Sequence, residues 1–499
     1  MNFIFIIIIV VFIIGYACIA LETPLKINKT ASALLLGVIL WTLMVIGGES
    51  TIINPELKNL FLHENPGGDG FMNWIVSHEL VTHLGGIAEI LFFLLGAMTI
   101  VELVDTYGGF KIITDKLKTT SRVRFMWILA LLTFFMSSVL DNMTTTIVMV
   151  ALLRKLLAER EERWFYAGLI VLAANAGGAW SPIGDVTTIM LWVGGKVSAG
   201  GIIHKTFLAS FMCILVPMLI LTFRLKGEFI RPKNMEMTAD ENPENQASYK
   251  ERLLILIAGV SVLLFVPIFK ALTHLPPYIG MLGGLSSLWL LTEILKRRHP
   301  KRDNNKYAVA TILTKIDTPS ILFFLGILLA VAALQVCGHL TILSTSLESL
   351  PLQEPERYFV ISYIIGLFSA IIDNVPLVAG AMGMYNFPMN HYFWEFIAYC
   401  AGTGGSILII GSAAGVAAMG LEKIDFIWYL KKISWLAFIG YTAGALTYII
   451  QNYSSIKSDI TELEPQSKMI EYTTNENDFQ GNVYVLKEEM GAFQIVVNF

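Results

Sequence analysis

Long apolar runs, many near the length of a bilayer crossing, alternate with polar connections along this chain. A helix needs about 20 apolar residues to span the hydrocarbon core. Such runs fall near residues 2–20, 29–48, 85–104, 202–223, 253–270, 277–295, 319–337 and 433–450. Two further stretches, 125–153 and 358–390, are too long for one crossing and too short for two. Each has a polar cluster at its middle. One reads Ser137-Ser138-Val139-Leu140-Asp141-Asn142, the other Ser369-Ala370-Ile371-Ile372-Asp373-Asn374. Short arms about a polar tip predict a re-entrant hairpin, tolerable at membrane depth only when buried in protein or lining a cavity. The runs at 164–194 and 392–419 are interrupted. Asn175 to Asp185, with Gly177, Gly178, Pro182 and Gly184, breaks the first. Gly402-Thr403-Gly404-Gly405-Ser406 and Gly411-Ser412 break the second. Paired glycines and proline disrupt a helix and free its backbone groups.

The order of elements occurs twice: three spans, a hairpin, a broken span and a closing span. This predicts an all-α polytopic membrane protein of two repeats, 1–226 and 252–450. Each repeat has about five transmembrane helices, one re-entrant hairpin (125–153, 358–390) and one broken helix (164–194, 392–419). A polar cytoplasmic linker, 227–251, joins them, and an acidic tail, 451–499, follows with room for a short strand between Val483 and Phe499. The run at 2–20 lacks the charged flank and cleavage pattern of a signal peptide, so it is expected to remain as a first span. Lys111, Lys116, Lys118, Arg122, Arg154, Lys155, Arg160 and Arg163 cluster in one set of loops, as do Lys296, Arg297, Arg298, Lys301, Arg302, Lys423, Lys431 and Lys432. The alternate loops hold few basic residues, among them Lys58, Lys196 and Arg357. The positive-inside rule then puts both termini outside and makes the repeats inverted in topology. Interrupted spans at matching places in two halves point to a transporter's binding site.

Composition narrows the class further. Of 499 residues, 55% are hydrophobic and 15% charged, with mean hydropathy +0.64. Soluble domains run nearer 25% charged, so the partner is membrane lipid, and a net charge of −4 argues against nucleic acid. Cys18, Cys213, Cys337 and Cys400 lie in apolar segments without a CxxC pair. His78-Glu79-x3-His83 spaces its imidazoles five apart, off one helix face, and is expected in a solvated loop rather than around zinc. Gly194-Gly195-Lys196-Val197 lacks the hydroxyl and upstream glycine of a phosphate loop. No enzyme, ATP motor or resident cofactor is signalled.

Three aspartates carry the chemistry. Asp141, Asp185 and Asp373 are each the lone charged side chain of a long apolar stretch, beside a helix-breaking signal. A charge at the bilayer centre costs roughly 2.5–3.5 kcal/mol even on the mildest scale. Capping a half-helix is one use for each; binding an ion is another, and the two coexist. Asn142, Asn374, Ser137, Ser369, Asn175, Thr187 and Thr188 supply neutral oxygens nearby, as a hard alkali cation requires. A carboxylate that binds H⁺ or Na⁺, but not both, exchanges them by competition. Ser406, Ser412 and Glu89, the last inside the 85–104 run, are secondary candidates.

Ser137-x3-Asp141-Asn142, the Asn175-to-Thr188 run and Ser369-x3-Asp373-Asn374 resemble NhaD-type Na⁺/H⁺ antiporters of the ion transporter superfamily, over about residues 1–450. The resemblance implies a homodimer in a bacterial-type inner membrane, with elevator-like alternating access. It implies Na⁺ or Li⁺ exchanged for H⁺ without ATP, with Na⁺ held at Asp141, Asp185 and Asp373. The second broken span has Ser412 where the first has Asp185, so the repeats are chemically unequal. An anion or dicarboxylate carrier of the same superfamily is the alternative, disfavoured by carboxylates at both hairpin tips. An intramembrane aspartyl protease is excluded by Pro182-Ile183-Gly184-Asp185 in place of its G-x-G-D motif.

Overall fold

The computed structural model describes residues 3–20, 22–64, 70–114, 119–229, 247–298, 304–471, 484–487 and 492–495. Lys116, Lys118, Lys301, Arg302 and the linker centre, Arg231 to Glu244, lie outside the described residues, as do Glu476, Asp478, Glu488 and Glu489 of the tail. The protein is all-helical across its membrane region. Among the described residues, seven helices are long and apolar enough to cross a bilayer, or eight if Phe426–Lys432 and Ser434–Ser458, bent by 52°, form one span.

The first compact unit, Met1–Gln451, holds two helical groups. Phe3–Ala20, Lys29–Gly47, Leu80–Thr106, Tyr249–Thr273, Pro277–Arg298 and Thr318–Cys337 pack mainly on one another. We refer to these as the outer-wall helices. The second group contains two hairpins and two broken helices, packed together with Ala199–Arg224. Hairpin 1 is Arg122–Leu140 with Asn142–Leu156; hairpin 2 is Glu356–Phe368 with Asn374–Met384. Broken helix 1 is Arg160–Ala179 with Val186–Val193; broken helix 2 is Tyr392–Gly404 with Ala413–Glu422.

The breaks follow from local chemistry. Each second arm starts at a capping side chain that accepts a backbone N–H of its own first turn. Asp141 takes Thr144 N at 2.8 Å, Asp185 takes Thr187 N at 2.8 Å, Asp373 takes Val375 N at 3.3 Å and Ser412 takes Gly415 N at 3.1 Å. Asp and Ser are strong N-caps because their side chains satisfy donors the helix leaves free. Glycine lets the arms close: a Cβ at Gly184 would sit 2.7 Å from Ser137 O, and one at Gly411 would sit 2.6 Å from Ser369 O. The same pairing recurs in hydroxyl bonds, with Ser137 Oγ donating to Ala174 O at 2.6 Å and Ser369 Oγ to Ala401 O at 2.7 Å. Both halves thus dock a hairpin on a broken helix through equivalent atoms.

Two stretches differ from the sequence reading. His78 to His83 lie in helix rather than in a loop, because a π turn, Ile75–Glu79, extends the span that begins at Leu80. Glu79 reaches both rings, His78 Nδ1 at 3.3 Å and His83 Nε2 at 3.8 Å. The last helix runs Ser434–Glu471, beyond the apolar stretch that ends near 450. The second unit, Asn452–Phe499, carries the end of that helix and a ribbon of Tyr484–Lys487 antiparallel to Ala492–Ile495.

Candidate functional site

A network of buried polar side chains joins the hairpin tips to the broken helices. Asp185, fully buried, is its centre. Its Oδ1 accepts from Thr187 N at 2.8 Å and Thr187 Oγ1 at 2.7 Å. Its Oδ2 accepts a short hydrogen bond from Asn142 Nδ2. Asn374 Nδ2 approaches both oxygens, at 3.2 and 3.4 Å. Asn142 and Asn374 follow the two hairpin aspartates, so the residue after each hairpin's Asp cap converges on one carboxylate. Thr188 Oγ1 donates to Asp185 O at 2.9 Å. Asn142 Nδ2 also donates to Asn175 Oδ1 at 3.0 Å, and Asn175 Nδ2 reaches Ser406 Oγ and Ser412 Oγ, each at 2.8 Å. Ser406 and Ser412 therefore belong to the same network.

Asp141 and Asp373 stand in front of it, part-exposed, and line one cavity of about 50 Å³. Asn142, Thr144, Val186 and Ala413 share that lining, and Asp185 does not. Asp141 also binds Thr144 Oγ1, through Oδ2 at 2.8 Å. Its backbone has φ 79° and ψ 159°, a region essentially restricted to glycine. Asp373, its counterpart, has φ −49° and ψ 138°. Strain is thus held at one of the two tips, at Asp141. Among the described residues no three His, Cys, Asp or Glu side chains form a group that could hold a metal ion, so any cation there would draw on neutral oxygens as well.

The outer-wall helices close the cavity with apolar side chains, among them Leu94, Met98, Met281 and Phe324. Lys29 is the one charged residue they contribute among the described lining residues. Its Nζ lies 3.7 Å from Asp373 Oδ2 and 4.7 Å from the Phe323 ring centre. Sequence reasoning missed it, although a lysine opening a 19-residue helix with no acid in its first turn was a visible signal. Glu395, buried in Tyr392–Gly404 and accepting from Tyr448 OH at 3.1 Å, was also missed. Glu89 is not in the network; it lines a separate recess of about 340 Å³ with His83 and Lys196.

Comparison with known proteins gives the family. The sequence profile of a family described as citrate transporter (CitMHS) matches residues 4–402. Sodium/proton antiporter 1 of Arabidopsis thaliana is 45% identical over 442 residues, covering 87% of this chain and 70% of that protein. Sodium/proton antiporter 2 of the same plant is 41% identical over 441 residues, covering 87% and 97%. The Na(+)/H(+) antiporter NhaD of Vibrio cholerae is 30% identical over 477 residues, covering 89% and 91%. The chain belongs to the citrate transporter family as an NhaD-type member, and is a multi-pass membrane transporter rather than an enzyme.

Proposed function

We propose that this protein exchanges Na⁺, and Li⁺, for H⁺ across the membrane, with Asp141 and Asp373 as the competing carboxylates. The observation that carries this reading is the cavity itself: about 50 Å³, with an aspartate from each hairpin tip. Pockets for organic ligands run roughly 300–1,000 Å³. On the same measure one water needs roughly 10–15 Å³, so the space suits a small cation with a few waters rather than an organic ligand. Asp185 acts behind the cavity, holding Asn142 and Asn374 so that their amide oxygens are oriented. A proton or a Na⁺ neutralises one cavity carboxylate, but the two do not bind it together. Names of the relatives support the same ion pair.

Alternating access follows from the walls. The hairpin group contributes the aspartates and asparagine, whereas the opposing wall is apolar apart from Lys29 and Ser320. A largely apolar wall offers few directional bonds to break as the hairpin group slides, Lys29 to Asp373 and Lys270 Nζ to Trp192 O among them, which supports an elevator-like displacement. The inverted repeats at 1–226 and 252–450, a homodimer, placement in an inner membrane and termini outside belong to the same proposal.

A carboxylate carrier is the second reading, favoured by the family description and by Lys29 at the cavity. One experiment separates them. Purified protein in liposomes with a preset pH gradient and a pH-sensitive dye receives NaCl, LiCl, KCl and citrate in turn. Dissipation by Na⁺ and Li⁺ alone is expected. A response to citrate and none to Na⁺ overturns the cation reading.

A further inference from the structure

We infer that Lys29 is a tethered competitor of the transported ion, its ammonium occupying Asp373 when no ion is bound and yielding it when one arrives. The inference rests on the cation-exchange reading above.

Lys29 is placed where its own helix gains nothing from it. It is the first residue of Lys29–Gly47, after the N-cap Asn28, whose side chain takes Thr30 N at 2.8 Å. The helix dipole is positive at that end and disfavours a cation. What holds the ammonium is instead Asp373 at 3.7 Å and the face of Phe323 at 4.7 Å. The partners are only 24% and 16% exposed, so solvent screens the attraction less than at a surface.

The anchoring is one-sided. Thr30 Oγ1 donates to Pro319 O at 3.0 Å, and Phe323 lies on the same Thr318–Cys337 helix. Lys29 N donates to Glu22 Oε1 at 3.2 Å. Lys29 is therefore fixed to the outer-wall helices, whereas Asp373 rides on hairpin 2. The pair is made across the boundary between the two groups and breaks when they separate.

The position also governs access. Lys29 and Asp373 line both the central cavity and an adjoining recess of about 70 Å³, whose other ionisable lining residues are Tyr16 and Glu22. The ammonium thus stands between the two spaces. A cation reaching Asp373 must displace it, since two positive charges cannot share that carboxylate without strong repulsion. Lys29 would weaken ion binding and at the same time offset one of the two carboxylate charges of the ion-free cavity.

The test titrates Na⁺ against wild type and Lys29→Gln, by dye response in liposomes and by Na⁺-dependent thermal stabilisation in detergent. Removing the competitor should lower the half-saturating Na⁺ concentration by roughly fivefold, the upper range for an exposed pair and a minimum for one this enclosed. Lys29→Arg, which keeps the charge, should shift it less. In an Asp373→Asn background the Gln substitution should produce no further shift in the stabilisation assay. Lys29→Met keeps the stem and carries the test if the Gln variant does not insert. Half-saturation unchanged or raised in the neutral variants, with a normal Na⁺ response in wild type, overturns the role of Lys29 and leaves the exchange reading intact. A wild type silent to Na⁺ but responsive to citrate overturns both.

Discussion

Asp185→Asn is the most informative single change at the site, because it removes a charge while retaining a cap. Asn ranks with Asp as an N-cap, so the amide oxygen can keep Thr187 N and Oγ1, now at 2.8 and 2.7 Å. The new NH₂ then replaces Oδ2 and faces the NH₂ of Asn142, donor against donor, whereas Asn374 keeps its 3.2 Å contact with the remaining oxygen. Asn142 cannot simply flip, since its Nδ2 also serves Asn175 Oδ1 at 3.0 Å. One hydrogen bond to a charged acceptor is lost, at about 1.5–3 kcal/mol gross. Relief from burying a carboxylate with no cation beside it offsets this loss, so the variant should insert and fold. The ion site fares worse, because Asn142, which lines the cavity, loses its orientation. If about 2.7 kcal/mol of the loss appears in binding, half-saturating Na⁺ rises about 100-fold. Dye-monitored exchange over a Na⁺ series measures this, with detergent thermal unfolding as the folding control. Excess Na⁺ at about 100 times Kd should stabilise wild type by about 2.7 kcal/mol, and the variant much less. A variant that folds, exchanges and saturates within twofold of wild type refutes the role given to Asp185.

Asn142→Ala should impair exchange more than Asn374→Ala, since Asn142 also tethers Asn175 whereas Asn374 makes only the longer contacts at 3.2 and 3.4 Å; the same Na⁺ series ranks them. Gly184→Ala and Gly411→Ala should each destabilise by about 1–3 kcal/mol through overpacking on Ser137 O and Ser369 O. Gly380→Ala, with nothing within 4 Å of the added Cβ, should be neutral or better in the same thermal unfolding series. Glu422→Ala leaves Arg154 Nε and Arg163 Nε without their carboxylate, now at 2.6 and 2.9 Å; about 1–3 kcal/mol should be lost, less than for a deeply buried pair because Arg154 is half exposed. Equal thermal midpoints for that variant and wild type would show the cluster to be energetically idle.

Much of this protein is legible in its residue order because the bilayer simplifies the rules. Backbone groups in hydrocarbon must be satisfied within helices, so long apolar runs became helices near the expected places. The polar interruptions at Asp141, Asp185, Asp373 and Ser412 became the starts of new ones. Those are local effects of capping and of glycine, and a local pattern encodes them. The membrane class and the identity of the carboxylates follow at that level.

Convergence is a different matter. Nothing in the spacing of Asn142 and Asn374 says that both amides meet Asp185, or that Asp185 stands behind the cavity rather than on its wall. Nothing in the apolar run after Lys29 says that its ammonium faces Asp373, 344 positions further along the chain at 3.7 Å. Such contacts depend on how hairpins dock on broken helices and on which wall closes over them. The packing of distant segments sets that geometry, and it is fixed by the sum of many small contacts rather than by any one motif. Capping residues and glycines, read locally, mark where the helices break and which charges fall within apolar runs. Long-range packing alone brings Asp141 and Asp373 to one small cavity and sets Lys29 beside them.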